Sequence, residues 1–191
     1  EVGADKLIAQ PKGFGPPGST GISLSKEDFE LIKKVKGVSE STPMTAKQAE
    51  VKMKETKKGK WVFVMGVSTI PSEQRLIDEA FGGIEILKGR ALKKGDKNKV
   101  VLGYNYQLAD KILDEPLKLG DKIFVNEHAF DVVGFYEEIG NPQDDVNVYM
   151  TLDDTKELFD AGDDYDYVYI RAEKGTEPKE LADKIEEKLR K

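Results

Sequence analysis

Residues 122–135 read Lys-Ile-Phe-Val-Asn-Glu-His-Ala-Phe-Asp-Val-Val-Gly-Phe. Two apolar runs, Lys122–Val125 and Ala129–Phe135, flank a polar break at Asn126, Glu127 and His128. Apolar runs joined by so short a polar break read as a β-hairpin. A second hairpin lies upstream. Ala49, Val51 and Met53 alternate with Glu50, Lys52 and Lys54, the pattern of a strand with one wet face. Residues 56–59 form the turn, and Trp61–Met65 is apolar at successive positions, which predicts a strand buried on both faces. Hairpins interspersed with helices, in place of regular βαβ alternation, specify an α+β fold.

The helices announce themselves by caps and periodicity. Ser25 caps a helix predicted over 25–36, with Asp28 three residues on, apolar Phe29, Leu31, Ile32 and Val35, and Gly37 at the C′ position. Pro71 opens a second helix that runs to Phe81 and closes at Gly82-Gly83. Tyr104, Leu108 and Ile112 share a helical face. Thr151 with Asp154 reads as another capping box, for a helix to Phe159. Pro178 starts the last helix, along which Leu181, Ile185 and Leu189 keep a spacing of four. Residues 2–10, Lys99–Leu102, Val146–Met150 and Tyr165–Arg171 read as strands. Residues 11–21 hold three prolines and four glycines and read as a loop. They contain neither G-x-G-x-x-G nor G-K-[ST], so nothing marks them as a phosphate cradle.

The chain has 191 residues, 38% hydrophobic and 35% charged, with a net charge of −6. That length suits one ordinary domain or two small ones. No apolar run approaches the ~20 residues that cross a bilayer as a helix. Nucleic acid is excluded as a partner by the acidic balance and by the dominance of lysine, with 26 Lys against 4 Arg. The absence of cysteine excludes disulfides, thiol catalysis and Cys-based metal centres, and a lone His128 excludes multi-histidine sites. A Lys/Glu-rich, cysteine-free chain resembles hyperthermophile composition. Charge is uneven. Residues 33–60 carry nine lysines against Glu40, Glu50 and Glu55, and residues 137–166 carry eleven carboxylates against Lys156. Such a pair of segments is either two solvated faces or a device for pairing domains.

Individual constellations favour structure over chemistry. Asp160, Asp163, Asp164 and Asp166 offer oxygen ligands but lack the spacing of a calcium loop, and read as a polar turn before a strand. Asp144/Asp145 and Asp153/Asp154 are neighbours and cannot flank one glycosidic bond. Asp153 and Asp154 fall instead in a first helical turn, where they complement the helix dipole. His128 lies in the expected turn. Tyr165, Tyr167 and Tyr169 line one sheet face. No catalytic, cofactor or metal site is expected.

From Ile86 onward a family resemblance accumulates. Ile86-Leu87-Lys88-Gly89-Arg90, then Gly95-Asp96, then Lys99-Val100-Val101-Leu102-Gly103 resembles the "G-R … D … v-v-l-G" run of the MacB-type extracytoplasmic domain. Leu117-Lys118-Leu119-Gly120-Asp121-Lys122-Ile123 is similar to its "l-G-x-x-i", and Phe130-Asp131-Val132-Val133-Gly134-Phe135 to its "f-x-V-V-G" strand. Val148-Tyr149-Met150 resembles the next strand, with Thr151 where the family usually has proline. Gly3-Ala4-Asp5 is similar to the "G-x-D" found after the first membrane helix. The motif positions Gly89, Arg90, Asp96, Gly103, Gly120, Val132, Val133 and Gly134 are expected to be structural, with Arg90 and Asp96 pairing.

The resemblance implies a porter-like α+β subdomain from residues 1–70 and 151–191, with a smaller β-rich subdomain, 71–150, inserted. It implies the extracytoplasmic domain of an ABC transporter permease, set between membrane helices before Glu1 and after Lys191. The implied partners are a second permease copy, a cytoplasmic ATPase, and a substrate or accessory protein on the outer side. The implied role is to transmit ATP-driven movement and handle lipoprotein, peptide or drug, with no cofactor and no enzymatic activity in this chain. The alternatives are a secreted protein- or glycan-binding module and, more distantly, a hydrolase with a Ser–Lys or carboxylate site in a deep polar pocket.

Overall fold

A computed structural model describes residues 5–12, 22–53 and 58–190. In chain order its elements are β1 (Lys6–Ala9), α1 (Lys26–Lys33), β2 (Val38–Lys52), β3 (Lys60–Val67), α2 (Pro71–Ala80), β4 (Ile86–Gly89), β5 (Lys99–Leu102), β6 (Lys122–Val125), β7 (His128–Tyr136), β8 (Val148–Thr151), α3 (Leu152–Phe159), β9 (Tyr167–Ala172) and α4 (Pro178–Leu189). They divide into two compact units. One comprises Glu1–Thr45, Ile70–Gly83 and Gly162–Lys191, the other Ala46–Thr69 and Ile84–Ala161. Residues 46–69 and 151–161 join the second unit because β3 pairs with β8 in parallel, Val64 opposite Val148, and α3 follows β8 directly. β2 supplies residues to both units.

The first unit is an antiparallel sheet, β1-β9-β2, covered by helices. Strand alternation in β9 turns Val168 and Ile170 toward Phe29 and Ile32 of α1 and Leu181 and Ile185 of α4. The other face carries Tyr169, whose ring lies 6.1 Å from that of Phe81 at the end of α2. Arg171 joins this face to its surroundings through Glu79 and through Glu40 at 2.8 Å. α1 begins as expected. The Asp28 amide donates to Ser25 Oγ at 3.1 Å and the Ser25 amide to Asp28 Oδ2 at 2.8 Å. It ends three residues early, because the Lys34 and Val35 amides turn to carbonyls three residues back and Gly37 adopts φ +108°.

The second unit is a closed barrel. β2 pairs β3, β3 pairs β8, β8 pairs β5, β5 pairs β7, β7 pairs β6, and β6 returns to β2. Closure removes the sheet edges from these six strands. It rests on only two paired positions, Val51 opposite Val125 and Lys52 opposite Phe124. Asn126 reinforces it, since its amide donates to Glu50 O at 2.9 Å and its side-chain oxygen accepts from the Glu50 amide at 3.0 Å. Val51, Val64, Val100, Ile123, Val132 and Met150, one from each strand, fill the interior and are 0–1% exposed. β4 lies outside the ring, on the last residues of β7.

Several expectations need correction. Trp61–Met65 is not buried on both faces: Val62 and Val64 point into the barrel, while Trp61 is 71% exposed and Phe63 half-buried. Tyr104, Leu108 and Ile112 do not share a helix. A single 3-10 turn spans Tyr104–Gln107, and Tyr106 is the residue buried from it. The hairpin turn is two residues long. Asn126 and Glu127 have φ of 45° and 67°, as a type I′ turn requires, so His128 is the first residue of β7. The Thr151 box is half formed, because Thr151 Oγ1 accepts from the Asp154 amide while the Asp154 carboxylate is engaged elsewhere. Residues 2–4, 13–21 and 54–57, with the start of the first strand and most of two predicted turns, lie outside the described residues.

Candidate functional site

Gly89, Arg90, Val133 and Gly134 converge on the junction between β4 and β7. A Cβ at Gly89 would stand 2.2 Å from Val133 O, and one at Gly134 would stand 2.3 Å from Arg90 O. The two glycines therefore interleave, and each backbone occupies the space a side chain would take on the other. The Arg90 amide donates to Val133 O at 3.0 Å. From this fixed point the Arg90 guanidinium grips Asp96 with both nitrogens, at 2.7 and 2.9 Å, and reaches Ala91 O at 3.0 Å. Asp96 also accepts the Lys93 amide at 3.0 Å. Its side chain is 6% exposed, and the Arg90 guanidinium beside it holds its carboxyl below the usual carboxylate range. The pair closes the loop between β4 and β5.

The other motif residues also hold backbone. Gly120 has φ +86° and donates to Val132 O at 2.8 Å. A Cβ on Gly103 would meet Asp145 O at 2.4 Å, so the strand end of β5 runs flush against the segment before β8. Val132 points into the barrel and Val133 outward.

The carboxylates singled out in the sequence are structural where the geometry describes them. Asp145 is 3% exposed and accepts the amides of Ile139 at 2.7 Å and Gly140 at 3.1 Å. Asp144 binds the Asn141 side chain, and burial raises its pKa. Asp154 is 4% exposed and accepts the Asn98 amide at 2.9 Å, with burial again pushing its pKa up. It ties α3 to the start of β5. Asp160 caps α3 with φ 47°, and Asp164 accepts from Ser23 Oγ at 2.8 Å. Among the described residues no group of three or more His, Asp or Glu converges as metal ligands would.

A cleft of about 510 Å³ opens in the first unit between β1 and α4. Leu7, Leu24, Ile170, Ile185 and Leu189 make it apolar, and Lys12 pairs with Glu186 at its mouth. Among the described residues no serine or histidine lines it. Sequence reasoning missed this cleft, since it depends on how the first strand and the last helix pack.

A family model described as the MacB-like periplasmic core domain matches residues 2–188. Over its whole length the chain is 30% identical to an uncharacterized ABC transporter permease of Methanocaldococcus jannaschii, of which it covers 46%. The chain thus spans about half the length of that relative. Three solved structures share the fold. The periplasmic region of MacB from Actinobacillus actinomycetemcomitans superposes with a TM-score of 0.74 at 18% identity, covering 99% of this chain and 84% of that one. The extracellular domain of the ABC-type transporter YknZ from Gram-positive bacteria gives 0.67 at 16% identity, with 92% and 88% covered. A permease-protein domain from Porphyromonas gingivalis gives 0.60 at 16% identity, with 98% and 84% covered.

Proposed function

We infer function from family: this chain belongs to the MacB-like periplasmic core domains, and is the extracytoplasmic domain of a MacB-type ABC transporter permease. The family is not a catalytic one. In the intact permease we place a membrane helix on each side of the domain, a second permease copy beside it, and a cytoplasmic ATPase that drives both. ATP-driven movement of the membrane helices displaces the outer domain, which handles a lipoprotein, peptide or drug.

The observation that carries this reading is the packing of the first strand against the last helix. β1 and α4 belong to one unit and line one cleft. Leu7 and Ala9 of β1 and Leu181 and Ile185 of α4 pack in one core, so force applied to either strand or helix is felt by that core. β2 passes that displacement along a single strand that serves both units. The chain has no G-x-x-x-x-G-K-[ST] and so does not itself bind ATP in the P-loop manner.

The chain has no cysteine, which makes the topology testable. Lys94→Cys, at an exposed loop position, is introduced into the full-length permease and intact cells are treated with a membrane-impermeant maleimide. Labelling of a membrane-bound product in intact cells is expected. Labelling only after lysis overturns the outer location, and a soluble product in the medium supports the secreted binding module instead.

A further inference from the structure

We propose that the open edge of β1, together with the cleft between β1 and α4, is a binding groove for an extended polypeptide with apolar side chains at alternate positions. The groove is read from the first unit alone and does not depend on the transporter assignment. Its backbone lining follows from register. The Ala172 amide donates to Asp5 O at 2.8 Å, and Leu7 and Ala9 stand opposite Ile170 and Val168. Antiparallel pairing alternates residues bonded to the partner strand with residues whose backbone groups point away from it. Asp5, Leu7 and Ala9 therefore face β9, and the amides and carbonyls of Lys6 and Ile8 face outward. Among the described residues nothing bonds these four groups. Native sheets blunt such an edge with charge or proline. The only charged residue of β1 is Lys6, and its ammonium is drawn to Asp5 at 2.9 Å and Glu79 at 3.6 Å.

The side-chain lining lies on the face of β1 that carries Leu7 and Ala9. There the cleft of about 510 Å³ separates β1 from Ala182, Ile185 and Leu189 of α4. That volume falls within the ~300–1,000 Å³ of ligand pockets. A strand added beside Ile8 would turn every second side chain to the face of Leu7 and Ala9, into this cleft. Its other side chains would share the face of Ile8, which is 41% exposed. The charges at the cleft select against an anionic lipid or a fatty acid. Lys12 and Arg190 are balanced by Asp183 and Glu186, and Glu186 accepts from both cations, from Arg190 at 2.9 Å. A negative headgroup finds no excess of positive charge there. An acyl chain would also leave the four outward backbone groups unpaired, whereas main chain offers donors and acceptors at the two-residue repeat of the edge.

Fluorescein-labelled peptides alternating valine or leucine with threonine, with lysine at each end, are titrated into the chain and followed by anisotropy. Saturable binding is expected. Methylating one alternate set of peptide amides should abolish it, and methylating the other should be tolerated, because only one set faces β1. Ile8→Pro deletes an outward amide and leaves the bonds of Leu7 and Ala9 to β9 in place. Ala182→Phe fills the cleft from an exposed position on α4. Each should weaken binding at least tenfold, with a thermal midpoint near that of the unmodified chain; the methylated peptides read the edge even where Ile8→Pro fails to fold. Binding that survives both methylations or both substitutions overturns the proposal, as does binding of neither peptide. So does binding of oleate without peptide, which assigns the cleft to an acyl chain. Self-association without peptide binding, abolished by Ile8→Pro, overturns it too and assigns the edge to a second copy. Maleimide labelling reads location and this titration reads binding, so each reading fails on its own.

Discussion

Gly134 and Gly120 are both motif glycines, yet the geometry gives them different reasons to be glycine, and their alanine variants should separate. At Gly134 the obstacle is space. The new methyl would lie 2.3 Å from Arg90 O, roughly 1 Å inside an ordinary contact, and the obstacle is backbone that no rotamer change can move. β4 must retreat, which breaks the Arg90 amide bond to Val133 O. Forced repacking costs about 1–3 kcal/mol, and the lost hydrogen bond about 1 kcal/mol more, so Gly134→Ala should cost about 2–4 kcal/mol. At Gly120 nothing lies within 4 Å of the added methyl, and only φ +86° is at issue. Left-handed backbone costs a non-glycine residue about 1–2 kcal/mol, so Gly120→Ala should cost about 1 kcal/mol, and Gly120→Asn less, because asparagine tolerates that region. For a chain of this length each kcal/mol lowers the Tm by about 2–4 °C. Calorimetric or circular-dichroism melts should therefore place Gly134→Ala several degrees below Gly120→Ala. Equal losses, or a neutral Gly134→Ala, would refute the claim that interleaved glycines set the β4–β7 approach.

Asp96 gives a pH signature: its folded pKa lies below its unfolded value of ~3.9, so its contribution is present above that value and disappears as pH falls through the folded one. Asp96→Asn should lower the Tm at pH 7, and its gap from the unmodified chain should close as pH drops below about 4; a gap independent of pH would show that the Arg90 pair does not set that stability. Ile123→Ala, at a fully buried barrel position, should cost about 2–5 kcal/mol, whereas Trp61→Ser should stay within about 0.5 kcal/mol, both read from thermal melts. Ser25→Ala removes the reciprocal cap of α1 and should cost about 1 kcal/mol by the same measurement.

What the sequence made legible was local. Ser25 with Asp28, Pro71 with Gly82-Gly83, and Pro178 placed three helices within a few residues, because capping and fixed φ act over one turn of chain. Lys99–Leu102 and the hairpin at 122–136 were visible because a short apolar run bounded by polar residues is a property of the local sequence. Barrel closure was not visible. It depends on Val51 meeting Val125, a pairing between residues far apart in sequence that no periodicity announces. The first part of β2 escaped notice for a related reason: Ser41, Thr42 and Thr45 are buried despite being polar, so the strand lacks the apolar signal. Trp61 was misplaced because a run of five apolar residues cannot say which of its two faces is covered. The cleft between β1 and α4 is likewise a product of packing.

The motif residues answer to two kinds of constraint, backbone approach and side-chain pairing. Gly89, Gly103 and Gly134 are fixed by backbone that passes within 2.2–2.4 Å of the side chain they lack. Arg90 and Asp96 are fixed by a two-pronged bond that closes one loop. Any chain that builds this β4–β7 junction meets the same demands, whatever it binds. Trp61 meets no such demand, since it is 71% exposed while Val62 and Val64 supply the barrel positions of β3. These glycines and the Arg90–Asp96 pair therefore hold the shape of the second unit, a demand that is the same whatever the domain binds.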